Sequence, residues 1–149
     1  MNPPSRVFLD TDVFIIGAAY EDGAEAKILR WLGYEGENAS SVEVVVSQDL
    51  FQQILRVGKR LKNKDWGAQI VGHLWNDLNL VYVLVNQEEV EEVLHQGKVP
   101  REDITVYLAA RNGQAQCFVS SNHVLIRALC QQTGEIECLT PREFAEMYL

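Results

Sequence analysis

Four polar residues stand where an apolar run gives way to a helical pattern, or where such a pattern opens: Asp10, Gln53, Asp103 and Asn122. Asp10 ends the first apolar run, Arg6 to Asp10, and Asn122 follows the fourth, Gln116 to Ser120. Asp103 opens the helical segment leading into that fourth run, and Gln53 lies one turn inside the segment after the second. In an open parallel sheet the functional crevice lies beyond the carboxyl ends of the strands, so chemistry is sought first at these places. If neighbouring strands bring them together, two carboxylates and two amides share one cleft. Carboxylate oxygens suit Mg2+ or Mn2+, hard cations that keep several waters while clamping a phosphodiester and activating a water.

The elements that must position them alternate. Short runs rich in Val, Ile and Phe recur between longer segments of helical period, which predicts an α/β fold: a three-layer α/β/α sandwich around a central five-stranded, mostly parallel sheet. Strands are expected at Arg6 to Asp10, Val42 to Ser47, Leu80 to Val85, Gln116 to Ser120 and Ile136 to Leu139. Helices are expected at Ala24 to Leu32 and at Gln48 to Leu61, the latter burying Leu50, Ile54, Leu55 and Leu61. Trp66 to Leu78, Glu88 to Leu94, Glu102 to Ala110, His123 to Cys130 and Pro141 to Met147 complete the set, the last capped by Thr140. Gly33 to Ser40 reads as a surface loop.

Length and composition bound the rest. At 149 residues with 47% hydrophobic and 23% charged, the chain suits one domain, 1–149, and is neither disordered nor a disulfide scaffold. Its formal net charge of -8 repels nucleic acid over most of the surface, so an RNA partner needs a local basic patch or a metal ion. Arg56, Lys59, Arg60, Lys62 and Lys64 supply one, holding five of the 13 basic residues. Read plainly, the same cluster is a solvated helix end complementing the dipole. Cys117, Cys130 and Cys138 lack zinc-site spacing and leave an odd count for disulfides. No run approaches the ~20 apolar residues of a membrane span, and the first residues do not form a signal peptide, so the cytoplasm is the expected location.

Five stretches spread from end to end, Val7 to Val13, Val46 to Leu55, Glu102 to Ala110, Cys117 to Asn122 and Leu139 to Phe144, together resemble a PIN domain, the metal-dependent nuclease fold of toxin-antitoxin toxins and RNA-processing proteins. Val7-Phe8-Leu9-Asp10-Thr11-Asp12-Val13 resembles the opening strand with its first acid, Asp10. Val46-Ser47-Gln48-Asp49-Leu50-Phe51-Gln52-Gln53-Ile54-Leu55 is similar to the second motif, Glu102 to Ala110 to the third with its acid at Asp103, and Cys117 to Asn122 to the fourth. Leu139 to Phe144 resembles the closing turn and helix of one subgroup. The resemblance implies a divalent-metal ribonuclease in which Asp10 and Asp103 hold Mg2+ or Mn2+ and Asn122 assists through its side-chain oxygen. Pairing into homodimers and capture by an antitoxin-like protein are further implications of the likeness. Yet Gln53 and Asn122 stand where the family carries acids, so four carboxylates fall to two. An amide lends an oxygen but no net charge and cannot act as a base. The alternative is therefore a PIN fold without catalysis, serving as an RNA-binding or protein-interaction module.

Each residue also has a plain structural reading. Asp10 and Asp12 can cap a helix, Asp103 can favour a helix N-terminus through the dipole, and Asn122 can cap the helix at His123. Asp12 and Glu102 are the neighbours that could compensate for the missing charge. His73, His95 and His123 share no ligand spacing. A receiver-type domain would need an Asp after the third strand and a Lys after the fifth, where Asn86 and Thr140 stand. A nucleotide-binding turn would need glycines, which Asp10-Thr11-Asp12-Val13 lacks.

Overall fold

The computed structural model describes residues 2–36, 40–134 and 136–149, with the backbone alone at 130–133. Five strands, β1 (Arg6–Leu9), β2 (Glu43–Ser47), β3 (Asn79–Val83), β4 (Cys117–Val119) and β5 (Glu137–Leu139), form one sheet in the order β3-β2-β1-β4-β5. All four pairings are parallel, so the mostly parallel sheet expected from sequence is wholly parallel. The chain leaves β1 toward β2 on one side and returns to β4 on the other. That reversal opens a crevice at the carboxyl ends of β1 and β4.

Strand alternation sends side chains into two cores. Val7, Leu9, Val44, Val46, Cys117 and Val119 face one layer. That layer comprises α1 (Thr11–Ala19), α2 (Ala24–Leu32), α3 (Gln48–Leu61), α4 (Lys64–Asp77) and α8 (Pro141–Tyr148). Phe8, Val45 and Phe118 face the other, against α6 (Ile104–Asn112) and α7 (His123–Thr133). There the Phe8 and Phe118 rings stack with centroids 5.3 Å apart. The remaining helix, α5 (Gln87–Gln96), joins α6 in a third cluster through Val93, Ile104 and Leu108. Single-turn 3-10 segments at Tyr34–Gly36 and Arg101–Asp103 complete the chain.

Several elements depart from the sequence reading. Residues 102–110 divide into a 3-10 turn through Asp103 and α6 from Ile104. The buried face of α3 is Leu50, Phe51, Ile54 and Gly58, whereas Leu55 and Leu61 are 41% and 61% exposed. The reason lies in α4: a Cβ on Gly58 would sit 2.8 Å from Gly67 Cα, so the two helices meet backbone to backbone there and the stripe turns toward Gly58. The segment at 33–40 is not wholly surface, because Tyr34 is buried; 37–39 lie outside the described residues. Among the described residues, no helix is long and apolar enough to cross a membrane.

Candidate functional site

The crevice begins where β1 stops. Asp10 N donates to Val119 O at 2.9 Å, which carries the β1–β4 pairing one residue past the strand. The chain then turns into α1, and Asp10 is its cap, with Oδ1 accepting from Thr11 N at 2.9 Å. Its other oxygen, Oδ2, accepts from Ser120 Oγ at 2.8 Å. Ser120 is fully buried just past β4, and its hydroxyl oxygen also accepts from Asn122 N at 3.0 Å. Asn122 in turn caps α7, its Oδ1 taking the Leu125 N–H at 3.1 Å. Asp12, one residue inside α1, accepts Ser121 N at 3.0 Å through Oδ2. Its Oδ1 is a buried acceptor with no hydrogen-bond partner among the described residues.

Asp10, Asp12, Gln53 and Asn122 line one cleft of about 460 Å3, together with Arg56 and Arg60 from the outer face of α3. Asp103 is not among its lining residues, but its charge reaches Asp10. Burial, then the Asp12 carboxylate, and last the Asp103 carboxylate raise the Asp10 carboxyl above its ordinary range, against the lowering by the Ser120 hydroxyl and the Thr11 N–H. Burial and Glu102 raise Asp103 in the same way. Like charges therefore gather around Asp10, and the donors bonded to its oxygens are neutral. Of the basic cluster, Lys59 and Lys62 lie off the cleft on exposed positions, with the Lys62 ammonium 5.5 Å from the centre of the Trp66 ring.

Gln53 faces two ways. Its Oε1 accepts from Thr11 Oγ1 at 2.7 Å and its Nε2 donates to Asp49 Oδ2 at 2.9 Å. Asp49 Oδ2 also accepts from Thr105 Oγ1 at 3.0 Å. A carboxylate only accepts, so Asp49 fixes the amide with nitrogen toward itself and oxygen toward Thr11. The sequence reading singled out Asp10, Asp12, Gln53, Asp103 and Asn122 but missed Ser120 and Asp49. The i, i+4 spacing of Asp49 and Gln53 in a helix was the available signal for the latter. The local mark on Ser120 was its place in the Cys117 to Asn122 stretch, where the PIN resemblance expects Thr or Ser; its bond to Asp10, 110 residues away, had no local signal.

A divalent ion makes its own demands on these donors. Among the described residues no three His, Cys, Asp or Glu side chains gather closely enough to cage a metal. Mg2+ does not require a cage: it keeps several waters and is typically held by one or two carboxylates plus substrate phosphates. Asp10 and Asp103, with Asp12 and its unpartnered oxygen near Asp10, fit that pattern in donor type and charge. The oxygens of Gln53 and Asn122 each already accept one hydrogen bond.

No family model matches the sequence, and no curated protein matches it. Solved structures do. A chain of VapBC2 from Rickettsia felis, bound to a DNA fragment from their promoter, superposes with a TM-score of 0.56 at 12% identity, over 91% of this chain and 98% of that one. A chain of VapBC-1 from nontypeable Haemophilus influenzae gives 0.58 at 12% identity, over 92% and 98%. The likeness spans nearly the whole of each chain and, with the wholly parallel five-stranded sheet, shows that this protein has the PIN-like α/β fold.

Proposed function

We propose that the protein is a divalent-metal ribonuclease of PIN type with a reduced acid set, in which Asp10 and Asp103 hold Mg2+ or Mn2+ and Arg56 and Arg60 meet the RNA backbone. One observation carries this reading. Asp10 is pushed upward by burial and by two further carboxylates, an arrangement that costs folding energy and is relieved by a cation. A bound divalent ion would neutralise charge on the scissile phosphate and lower the pKa of a water. The chain's own residues do the positioning. Ser120 and the Thr11 N–H fix both oxygens of Asp10, so its remaining lone pairs face a set direction. Asn122 keeps the α7 N-terminus at the mouth of the cleft. Arg56 and Arg60 form no ion pair among the described residues, which leaves their guanidinium groups for phosphates. The PIN-like fold supports an antitoxin-like protein partner as part of the same proposal; the two structures described above are of VapBC2 and VapBC-1.

A second reading, a binding or protein-interaction module without catalysis, is favoured by the two amides. Gln53 and Asn122 are both engaged in bonds within the protein, and neither adds charge to the cleft. Incubating the protein and its Asp10→Ala/Asp103→Ala double variant with Mn2+ and end-labelled single-stranded RNA separates the two. Cleavage by the parent and at least about 100-fold less by the double variant is expected, since removing acids that hold a metal removes both charge stabilisation and the nucleophile. An inert, well-folded parent that binds no Mn2+ leaves only the module.

A further inference from the structure

Asp49 lies outside the cleft, and its bonds reach Gln53, which lines the cleft, and Thr105, two residues after Asp103. Three side chains converge on it in sequence: the Thr11 hydroxyl donates to Gln53, and the Gln53 amide and the Thr105 hydroxyl both donate to Asp49 Oδ2. Every donor in this relay points toward the one negative charge, which strengthens each bond relative to a neutral pair. The ends of the relay matter most. Thr11 directly follows Asp10, and Thr105 is two residues after Asp103, so the network ties α1, α3 and the start of α6 together beside the two acids.

We propose that Asp49 is a positioning residue for the Asp10 and Asp103 pair, acting through Gln53 and Thr105 to set the separation of the two acids; this rests on the reading of that pair as a cation site. The charge at this corner stands one helical turn before the position where the PIN resemblance expects it, and the amide at 53 follows from that. A glutamine can donate to Asp49 while accepting from Thr11. A glutamate cannot: it would set two carboxylates at the present 2.9 Å contact and lose the donor that joins them. Gln53→Glu is therefore not a simple restoration of the missing acid, and Asp49→Asn is its compensating change. In the double variant the amide nitrogen introduced at position 49 takes the place of the shared oxygen: it donates to the carboxylate introduced at position 53 and to the Thr105 hydroxyl, which accepts as readily as it donates.

The test uses the intact chain and two readouts. Melting temperature is measured for the parent, Gln53→Glu, Asp49→Asn and Gln53→Glu/Asp49→Asn; Mn2+ affinity is measured by water-proton relaxation for the parent, Asp49→Ala and Asp49→Asn. Gln53→Glu is expected to melt several degrees below the parent, and adding Asp49→Asn is expected to recover most of that loss. Asp49→Ala should weaken Mn2+ binding about tenfold, the low end of what losing a support around a metal site costs, whereas Asp49→Asn should stay within about twofold because its oxygen still accepts both bonds. Additive melting shifts, or equal Mn2+ losses in Asp49→Ala and Asp49→Asn, would overturn the assignment. A parent that binds no Mn2+ overturns the cation cleft itself, which is distinguishable because additivity is read without metal.

Discussion

Asp10 and Asp49 stand at neighbouring βα junctions, the first as a helix cap and the second within the first turn, and face opposite surroundings. Each stands at the start of a helix that leaves a central strand, β1 or β2, and each is partly buried. Asp10 meets two further carboxylates and bonds only neutral groups, so its charge is left over. Asp49 meets the donors of Gln53 and Thr105, so its charge is used within the protein. The same βα junction thus serves two ends: an acid crowded by acids invites a cation, and an acid ringed by donors holds a framework.

Substitutions at three places put that contrast at risk. The largest effect is expected from Asp49→Ala, which strands the Gln53 amide and the Thr105 hydroxyl without their acceptor. Leaving such groups unpaired costs about 1–3 kcal/mol, or a melting temperature lower by roughly 2–10 °C in a domain of this size. Urea titration gives the free energy directly, and an unchanged midpoint would remove Asp49 from the framework.

Asp10→Asn should act in the opposite sense. Because the folded-state pKa of Asp10 is raised, the folded protein binds that proton more tightly than the unfolded chain does. The stability linked to that proton is fully present below the ordinary value of 3.8 and is lost as pH rises through the raised one. At pH 7 the parent carries the cost of a buried, crowded charge, and the amide removes it. A gain of a few degrees at pH 7 is expected, closing as pH falls below the ordinary carboxyl range; differential scanning calorimetry across that range checks it. A site that gains stability on losing its acid is the familiar mark of stability exchanged for function.

The smallest effect belongs to the rim of the cleft. Removing Arg56 or Arg60 should weaken single-stranded RNA binding and flatten the plot of log affinity against log salt by about 0.7 per arginine. Fluorescence anisotropy at several salt concentrations reads this slope. Lys59→Ala, off the cleft, should change it less, and equal slopes for all three would mean that the basic surface is not organised around Asp10.

How much of this could be read in advance differs by element. The bounds of α2 and α3 match the expected ones, because a one-sided apolar stripe with caps is a local property. In contrast α1 shows no stripe: Val13, Phe14 and Ile15 run consecutively and all are buried, since that helix is enclosed on several sides. The strands were found to within two residues, because buried parallel strands read as continuous apolar runs. Asp10, Gln53 and Asn122 were named from sequence and share a cleft, with Asp103 electrostatically in reach. Leu55 and Leu61 were assigned to the core and are exposed, because the Gly58–Gly67 contact between two helices decides which face of α3 is covered.

The alternation of strands and helices, the caps at Ser47, Asn122 and Thr140, and the loss of two acids at Gln53 and Asn122 are all written in the order of residues. They depend on neighbours a few positions away, where period, propensity and capping act. What each acid faces was settled by packing in three dimensions. Asp12 near Asp10 and Gln53 one turn after Asp49 are neighbours along the chain, but that Asp103 also crowds Asp10 and Thr105 also answers Asp49 follows from strand order and helix packing. Those bring together groups as distant along the chain as Asp10 and Ser120, 110 positions apart. Electrostatics falls off with distance in space and takes no account of distance along the chain.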